Sequence, residues 1–222
     1  IIPDIVLFLN GLPIVVVEAK SPKVSEPLSE AIDQLMRYSE QRGDTGEGNP
    51  ALFQYNQFLI VTCRNEAKAG TITTHREKYF YRWTDPYPMT LNDLTHGQSA
   101  PNDQQRLVAG MLSLQNLLDI IRIFTIFSIN DKGKKIKIVC RYQQFRAVKK
   151  MVKRLQKGKT KEDRGGILWH TQGSGKSLTM MFLVRQMQLI TALQSWKVVF
   201  VTDRTQLEEQ LGDTGGGVGF NL

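Results

Sequence analysis

The feature that most constrains the fold is an Asn-Gly pair between two apolar runs near the start of the chain. Residues 5–9 and 13–18 are rich in Val, Ile and Leu, and Asn10-Gly11 separates them. This pattern predicts a β-hairpin, because Asn and Gly tolerate the positive φ angles that tight hairpin turns need. The register of a hairpin decides which side chains oppose one another, and so what its open end can do.

Three charged residues occupy that open end. Asp4 comes just before the first run, and Glu18 and Lys20 end the second. A two-residue turn would pair Asp4 with Val17 and leave Glu18 on the other face. A three-residue loop over 10–12 pairs Asp4 with Glu18 instead. We predict the three-residue loop, with the Cβ atoms of the two acids about 5 Å apart.

Two carboxylates at so short a distance repel each other unless a cation lies between them. Mg²⁺ suits such a site, since it is held by one or two carboxylates together with water and phosphate oxygens. Lys20 would then orient or activate a water and offset negative charge on a phosphodiester. The spacing alone leaves an alternative open, a surface ion-pair cluster worth less than about 1 kcal/mol.

A second pattern alternates apolar runs with a glycine-rich turn. The run at 166–170 leads into "GSGKS" at 173–177, a helix is predicted over 176–192, and a second apolar run follows at 197–203. Strand, helix and strand at this length predict a parallel pair joined by a right-handed crossover. Elsewhere the sequence predicts strands at 53–63 and 78–83 with a turn-rich segment between them, and a helix near 143–156.

The glycine-rich turn has the composition of a phosphate-binding loop. Glycines let the main chain wrap a phosphate, and successive N–H groups at a helix start supply positive potential. Lys176 would reach the β- and γ-phosphates, and the Ser177 hydroxyl would bind Mg²⁺. The first glycine of the usual pattern is His170 here. The predicted loop residues are Thr171, Gln172, Gly173, Ser174, Gly175, Lys176 and Ser177.

Charge is distributed unevenly along the chain. The net charge is +8; residues 1–96 hold 9 Lys and Arg against 12 Asp and Glu, and residues 97–222 hold 20 against 9. The segment 132–164 alone has 14 basic and 2 acidic residues. This asymmetry favours a polyanionic partner for the second half, with a solvated lysine-rich face as the alternative.

Cysteine usage and hydropathy narrow the class of protein further. Cys63 and Cys140 lie far apart with no metal-ligand spacing, which argues against a zinc site or a disulfide framework and fits a reducing cytoplasm. The most apolar stretch, 107–127, is interrupted by polar and charged residues. Its helical periodicity predicts a packed amphipathic helix and no membrane span.

Three motifs of the second half resemble those of superfamily 2 helicases and translocases. The loop resembles their motif I, "RYQQFRAV" resembles their R-x-x-Q-x-x-A adenine-recognition motif, and "VVFVTDRTQLEEQL" resembles motif Ia. The resemblance implies ATP as cofactor. It also implies that Gln144 contacts the adenine edge, that Arg141 supports the loop, and that Arg204 and Thr205 contact a nucleic-acid backbone.

The hairpin resembles the PD-(D/E)xK nuclease motif, and "QLMRY" on the next predicted helix resembles the Q-x-x-x-Y motif of RecB-like nucleases. Gln34 and Tyr38 are four residues apart, so they share one helix face. A buried Gln–Tyr pair with a purely structural role is the alternative. The predicted catalytic residues are Asp4, Glu18, Lys20, Gln34 and Tyr38, and the predicted metal-binding residues are Asp4, Glu18, Ala19 and Ser177.

A nuclease motif followed by a motor motif resembles the R subunit of type I restriction enzymes over nearly the whole chain. The resemblance implies an α/β fold: a restriction-endonuclease-like mixed sheet with flanking helices, then a partial RecA-like parallel α/β domain. We predict a nuclease domain at 1–96, a linker and amphipathic helix at 97–130, and the first motor domain at 131–222.

The same resemblance implies ATP-driven translocation of double-stranded DNA coupled to Mg²⁺-dependent cleavage, with methylation (M) and specificity (S) subunits as partners in the cytoplasm. The motor's DExx box and second lobe are not in this sequence, so this stretch alone is expected not to turn over ATP. Two alternatives stay open: a stand-alone superfamily 2 helicase with a degenerate nuclease region, and a non-enzymatic DNA-binding scaffold.

Overall fold

The chain divides into two compact units, Ile1–Leu117 and Leu118–Leu222. The boundary falls inside the predicted connector 97–130. None of the helices that the structure describes is long and apolar enough to cross a membrane. The computed structural model describes residues 1–43, 46–95, 100–130 and 132–201.

A four-stranded mixed sheet with helices forms the first unit. The elements are β1 (Ile5–Leu9), β2 (Leu12–Ala19), α1 (Pro27–Tyr38), β3 (Phe58–Cys63), β4 (Glu66–Gly70), α2 (Leu91–Thr95) and α3 (Asp103–Met111); α4 (Leu114–Arg122) follows. The strand order is β1-β2-β3-β4, with β2 and β3 parallel and the other pairs antiparallel. A parallel pair needs a crossover connection, and α1 lies within it.

The core of this unit lies between α1 and the middle of the sheet. Leu28, Ala31, Ile32 and Leu35 recur at helical spacing and are buried in one cluster with β-strand residues. Every residue of β3 is buried, as expected for a central strand covered on both faces. The mixed α/β fold class predicted from the sequence is confirmed.

The turn of the β1–β2 hairpin contains two residues. Asn10 has φ 50° and Gly11 has φ 80°, and Leu9 pairs with Leu12 across them. Positive φ at both central positions is the requirement that Asn-Gly meets best. The predicted three-residue loop is therefore wrong.

A β-bulge next to this turn shifts the register by one residue. Phe8 pairs with Pro13 and Leu7 pairs with Val15, so Ile14 is the extra residue on β2. Bulges place two residues of one strand opposite one of the other. The open end of the hairpin thus has the register that the three-residue loop was meant to produce.

Two further strands differ from the sequence prediction. The predicted strand 53–63 starts only at Phe58, because Pro50–Phe53 forms a 3-10 helix with proline at its start. The predicted strand 78–83 is reduced to a single bridge between Ala69 and Tyr81. β4 occupies a segment for which the sequence predicted turns, and its main chain pairs with β3.

The second unit combines a two-stranded hairpin with helices. Its elements are β5 (Thr125–Ile129), β6 (Lys135–Val139), α5 (Tyr142–Lys157), α6 (Lys161–Arg164) and α7 (Lys176–Gln188). β5 and β6 pair antiparallel. The Phe124 ring packs against Phe145 and Phe182, with ring centroids 4.9 and 5.4 Å apart. The helices predicted near 143–156 and 176–192 are both present.

The predicted strands at 166–170 and 197–203 are not formed in the described part of the chain, which ends at 201 on this side. Ile167 is fully exposed and Val201 is 91% exposed. A strand exists only where a neighbouring strand completes its hydrogen bonds, and no described segment pairs with either run. Apolar composition alone was therefore insufficient to predict these strands.

The apolar stretch 107–127 is also not one helix. α3 ends at Met111, α4 begins at Leu114, and β5 takes over from Thr125. The Asn116 side chain donates to the main-chain oxygens of Tyr87 and Gly110 (2.5 and 2.7 Å), which ties the break to the rest of the first unit.

Candidate functional site

The hairpin register brings the two predicted carboxylates face to face. Ile5 pairs with Val17, so the next pair along is Asp4 with Glu18. The Asp4 Oδ2 atom accepts a hydrogen bond of 2.7 Å from the main-chain N–H of Ala19. This bond holds the Asp4 carboxylate at the end of β2, beside the other acid.

Lys20 ties the hairpin to α1. Its Nζ donates to Glu18 Oε1 at 3.1 Å and to the side-chain oxygen of Gln34, and it lies 3.8 Å from Glu30 Oε1. The Lys20 side chain is 14% exposed, whereas that of Glu30 is 52% exposed. The ammonium group is therefore held in a partly buried position next to the acidic pair.

Gln34 and Tyr38 extend this link along one face of α1. The Gln34 side-chain amide accepts from Lys20 through its oxygen and donates to the Tyr38 hydroxyl through its nitrogen. The Tyr38 hydroxyl donates in turn to the main-chain oxygen of Ile2 at 3.2 Å. One continuous hydrogen-bonded chain thus runs from Glu18 to the segment that carries Asp4.

Burial makes the Glu18 carboxyl electrostatically unusual. It is 2% exposed, and its Oε2 atom is buried without a hydrogen-bond partner. Burial raises the pKa of Glu18 above its ordinary value; the hydrogen bond from Lys20 opposes this shift and the negative charge of Asp4 adds to it. A buried carboxylate that has an unpartnered oxygen and lies opposite a second acid in the hairpin is an arrangement that a cation would stabilise.

The donor set fits Mg²⁺ better than a transition metal. Among the described residues no group of three or more His, Cys, Asp or Glu side chains could hold a metal ion. Asp4 and Glu18 would leave most coordination positions to water and phosphate oxygens, which is the habit of Mg²⁺. Ala19 directly follows Glu18 in sequence, and its main-chain N–H orients the Asp4 carboxylate.

The sequence did not predict two charged neighbours of this site. Glu30 lies near Lys20, and the positive charge of Arg37 acts on Glu18. Both are on α1, four residues before Gln34 and three after it, so helical spacing was the signal that could have identified them.

The glycine-rich loop forms at the start of α7. Gly173 and Gly175 have φ angles of 74° and 79°, and Gly175 is the residue that caps the helix. The main-chain oxygen of Thr171 accepts a hydrogen bond of 2.7 Å from the Ser174 hydroxyl, and this bond closes the loop. A side chain at Gly173 or Gly175 would be strained, because L residues rarely adopt this region.

Gln144 joins the adenine-motif helix to this loop. Its Nε2 donates to the main-chain oxygens of Ser174 and Gly175 at 3.2 and 3.1 Å, and its Oε1 accepts from the N–H of Arg141 at 2.9 Å. Gln144 is buried, and a Cβ added at Gly175 would overlap its Nε2. The structure therefore brings together two motifs that lie about 30 residues apart.

Lys176 lies across the loop. Its Nζ donates to the main-chain oxygens of His170 and Thr171 at 3.0 and 3.1 Å. Gln172 belongs to the same turn, and Ser177 is the second residue of α7. The predicted backbone contacts Arg204 and Thr205 lie outside the described residues.

Comparison with known protein families agrees with this division of the chain. Residues 1–78 match the family model described as type I restriction enzyme R protein N terminus. Residues 143–219 match the model described as SWI2/SNF2 ATPase. The first range contains every predicted nuclease residue, and the second contains Gln144 and the glycine-rich loop.

Curated relatives match almost the whole chain. The type I restriction enzyme HindI endonuclease subunit of Haemophilus influenzae is 34% identical over 216 residues, which cover 96% of this chain and 19% of that protein. A relative from Methanocaldococcus jannaschii is 34% identical over 227 residues, 94% of this chain and 20% of its own. The chain thus spans about a fifth of the length of these relatives. The chain is therefore similar to type I restriction enzyme endonuclease subunits over almost its whole length, and its residues 1–78 match the R protein N-terminal family model.

Proposed function

We propose that the first unit cleaves double-stranded DNA with Mg²⁺ at the site formed by Asp4, Glu18 and Lys20. The observation that carries the proposal is the buried Glu18 carboxylate, whose Oε2 atom has no partner and which lies opposite Asp4 in the hairpin. A buried carboxylate with an unpartnered oxygen lowers the stability of the fold unless a bound cation compensates its charge. The names of the curated relatives, endonuclease subunits, support the same reaction class.

Each side chain has a role in this proposal. Asp4, Glu18 and Ala19 would hold Mg²⁺, which when bound polarises a phosphodiester and lowers the pKa of water. Lys20 would orient the attacking water and offset negative charge that develops on the phosphate. Gln34 and Tyr38 position Lys20, because they hold its ammonium through a hydrogen-bonded chain anchored on a main-chain oxygen.

We propose that the second unit binds ATP and Mg²⁺ and drives DNA translocation. Lys176 would leave the main-chain oxygens of His170 and Thr171 to reach the phosphates, and Ser177 would bind the metal. Gln144 would contact the adenine edge, and it also holds the loop through its hydrogen bonds to the main-chain oxygens of Ser174 and Gly175. Arg204 and Thr205 are proposed to contact the DNA backbone.

The whole protein is proposed to act in a type I restriction-modification complex, with methylation and specificity subunits that read the target. In this proposal residues 1–96 form the nuclease domain, 97–130 the connector and 131–222 the start of the motor. The relatives' names support membership of such a system, and the cytoplasm is the proposed compartment.

The metal site is tested by Glu18→Gln in the complete subunit assembled with its partners. We expect loss of cleavage of circular DNA by at least about 100-fold, with DNA-stimulated ATPase retained, because one oxygen ligand has lost its charge. Asp33→Asn is the matched control: Asp33 lies on α1 but pairs with Arg42 in solvent, so cleavage should be unchanged. Undiminished cleavage by Glu18→Gln would reject the assignment.

The nucleotide site is tested by Lys176→Ala, which should abolish ATPase, translocation and cleavage together. Cleavage that continues without ATP hydrolysis would contradict the coupling. ATPase with no Mg²⁺-dependent cleavage in the wild type would favour a helicase with a degenerate nuclease region. Binding of DNA that never responds to ATP would favour a scaffold.

A further inference from the structure

One face of α5 carries an uninterrupted stripe of positive charge. Exposed basic side chains recur there at the i, i+3, i+4, i+7 spacing that puts residues on one helix face, and the 16-residue helix contains no acidic residue. The opposite face, which includes Phe145 and Val148, is buried. The stripe, called the basic face below, consists of Lys150, Lys153, Arg154 and Lys157.

The basic face forms no ion pair within the part of the chain that the structure describes, although the charge of Arg154 acts on the nearby Asp163. None of its four side chains takes part in an ion pair there, and Arg154 donates only to the main-chain oxygen of Glu162 at 3.4 Å. Lys149, one residue away, behaves differently: it turns inward and pairs with Asp119 at 2.6 Å. The buried side of α5 therefore has its positive charge paired with an acid, whereas the exposed basic face does not.

The nearest acids are already used by the local structure. Asp163 accepts hydrogen bonds from the main-chain N–H groups of Lys159 and Thr160 at the start of α6. Like charges at i, i+3 and i, i+4 destabilise a helix by about 0.2–0.5 kcal/mol per pair. The stripe therefore weakens α5 by itself, and an external polyanion would reverse that effect.

We infer that the basic face of α5 binds the phosphate backbone of duplex DNA, independently of sequence, ATP and Mg²⁺. The inference rests on the proposed action on double-stranded DNA. Seven residues of helix span about 10 Å, over which duplex DNA presents about six phosphates. The surrounding segment 132–164, with 14 basic and 2 acidic residues, suits a continuous polyanion better than a mixed-charge protein surface.

The test measures the salt dependence of binding of the full chain to a fluorescent duplex of arbitrary sequence, in EDTA and without nucleotide. The variant replaces Lys150, Lys153, Arg154 and Lys157 by Gln. Each phosphate contact contributes about 0.9 to the slope of log K against log salt, so the slope should become shallower by about 3–4. Between about 50 and 200 mM salt, wild-type affinity should then fall about 150-fold more than that of the variant.

Two matched variants separate this surface from net charge and from misfolding. Replacing the exposed, scattered Lys23, Arg64, Arg76 and Lys78 by Gln removes the same charge and should leave the slope within about 1 of wild type. The second variant replaces Lys150, Lys153 and Lys157 by Arg. It should keep the wild-type slope, because the positive charges remain.

Two results would overturn the inference: an unchanged slope in the variant without the basic face, or an equal change of slope in the scattered-charge control. If the unchanged slope comes with loss of assembly with partner subunits on size exclusion, the surface belongs to an acidic protein partner instead. Cleavage is measured separately in the complete subunit with Glu18→Gln, whereas the slope is measured in EDTA, where no cleavage occurs, so failure of the nuclease proposal is distinguishable from failure of this inference.

Discussion

Substitution of Gly175 by Ala tests the contact between the glycine-rich loop and Gln144. Gly175 has φ 79°, and an added methyl group would overlap the Gln144 side-chain nitrogen. The left-handed conformation costs an L residue about 1 kcal/mol. Displacing Gln144 also loses its hydrogen bonds to Ser174 and Gly175, each worth about 0.5–1.5 kcal/mol net. We expect a total destabilisation of about 2–4 kcal/mol.

Gly173→Ala is the matched control. Gly173 has φ 74°, but a Cβ there would meet no atom within 4 Å. Only the conformational cost applies, so we expect about 1 kcal/mol. The difference between the two variants isolates the packing of Gln144 against the loop from the backbone preference that the two glycines share.

A double-mutant cycle gives the second measurement. Gln144→Ala removes the same hydrogen bonds and opens the space that a methyl at Gly175 needs. Gly175→Ala should therefore cost only about 1 kcal/mol in the Gln144→Ala background, which gives a coupling of about 1–3 kcal/mol. Urea unfolding followed by circular dichroism measures each free energy of unfolding. Equal destabilisation by the two glycine substitutions, or additivity in the cycle, would refute the reasoning.

The remaining predictions concern the hairpin and its site. In metal-free buffer, the free energy of unfolding of the wild type should fall relative to that of Glu18→Gln as the pH rises above about 4.3, the ordinary pKa of Glu, because a raised pKa in the folded state gives stability that is lost on ionisation; parallel pH profiles would contradict this. Gln34→Ala should cost about 1–3 kcal/mol and lower kcat for cleavage more than it raises KM, because the Lys20 and Tyr38 contacts are lost; unchanged kcat would remove Gln34 from the site. Gly11→Ala should cost about 1 kcal/mol at its φ of 80° in open space, measured by urea unfolding; a cost near zero would argue against the observed turn.

Local sequence signals predicted the parts of the site that depend on neighbours along the chain. Asn10-Gly11 identified the turn because few residue pairs accept positive φ twice. Gln34 and Tyr38 were expected on one helix face because 3.6 residues make a turn, and the structure has them hydrogen-bonded to each other. These features follow from backbone geometry that a few residues determine.

The bulge at Ile14 shows where local reasoning fails. The predicted register of the open end is present, but the predicted three-residue loop is not, since a hairpin considered alone offers no reason for a bulge. β2 also pairs with β3, where Val15 lies beside Phe58, and its side chains are buried on both faces. The phase of β2 is thus constrained by a third strand, in which Phe58 follows Val15 by 43 residues in sequence, and the turn residues do not encode this pairing.

The sequence by itself determined which residues carry chemistry and how they repeat: the acids and lysine at a hairpin end, the glycines before Lys176, and the basic residues of α5. Only the tertiary structure decided that Glu18 is buried, that Lys20 reaches Gln34, and that Gln144 contacts the glycine-rich loop. The reason is physical. Residue type and spacing set local conformation, whereas burial and long-range contacts depend on apolar packing between elements distant in sequence, and that packing energy is shared among many side chains.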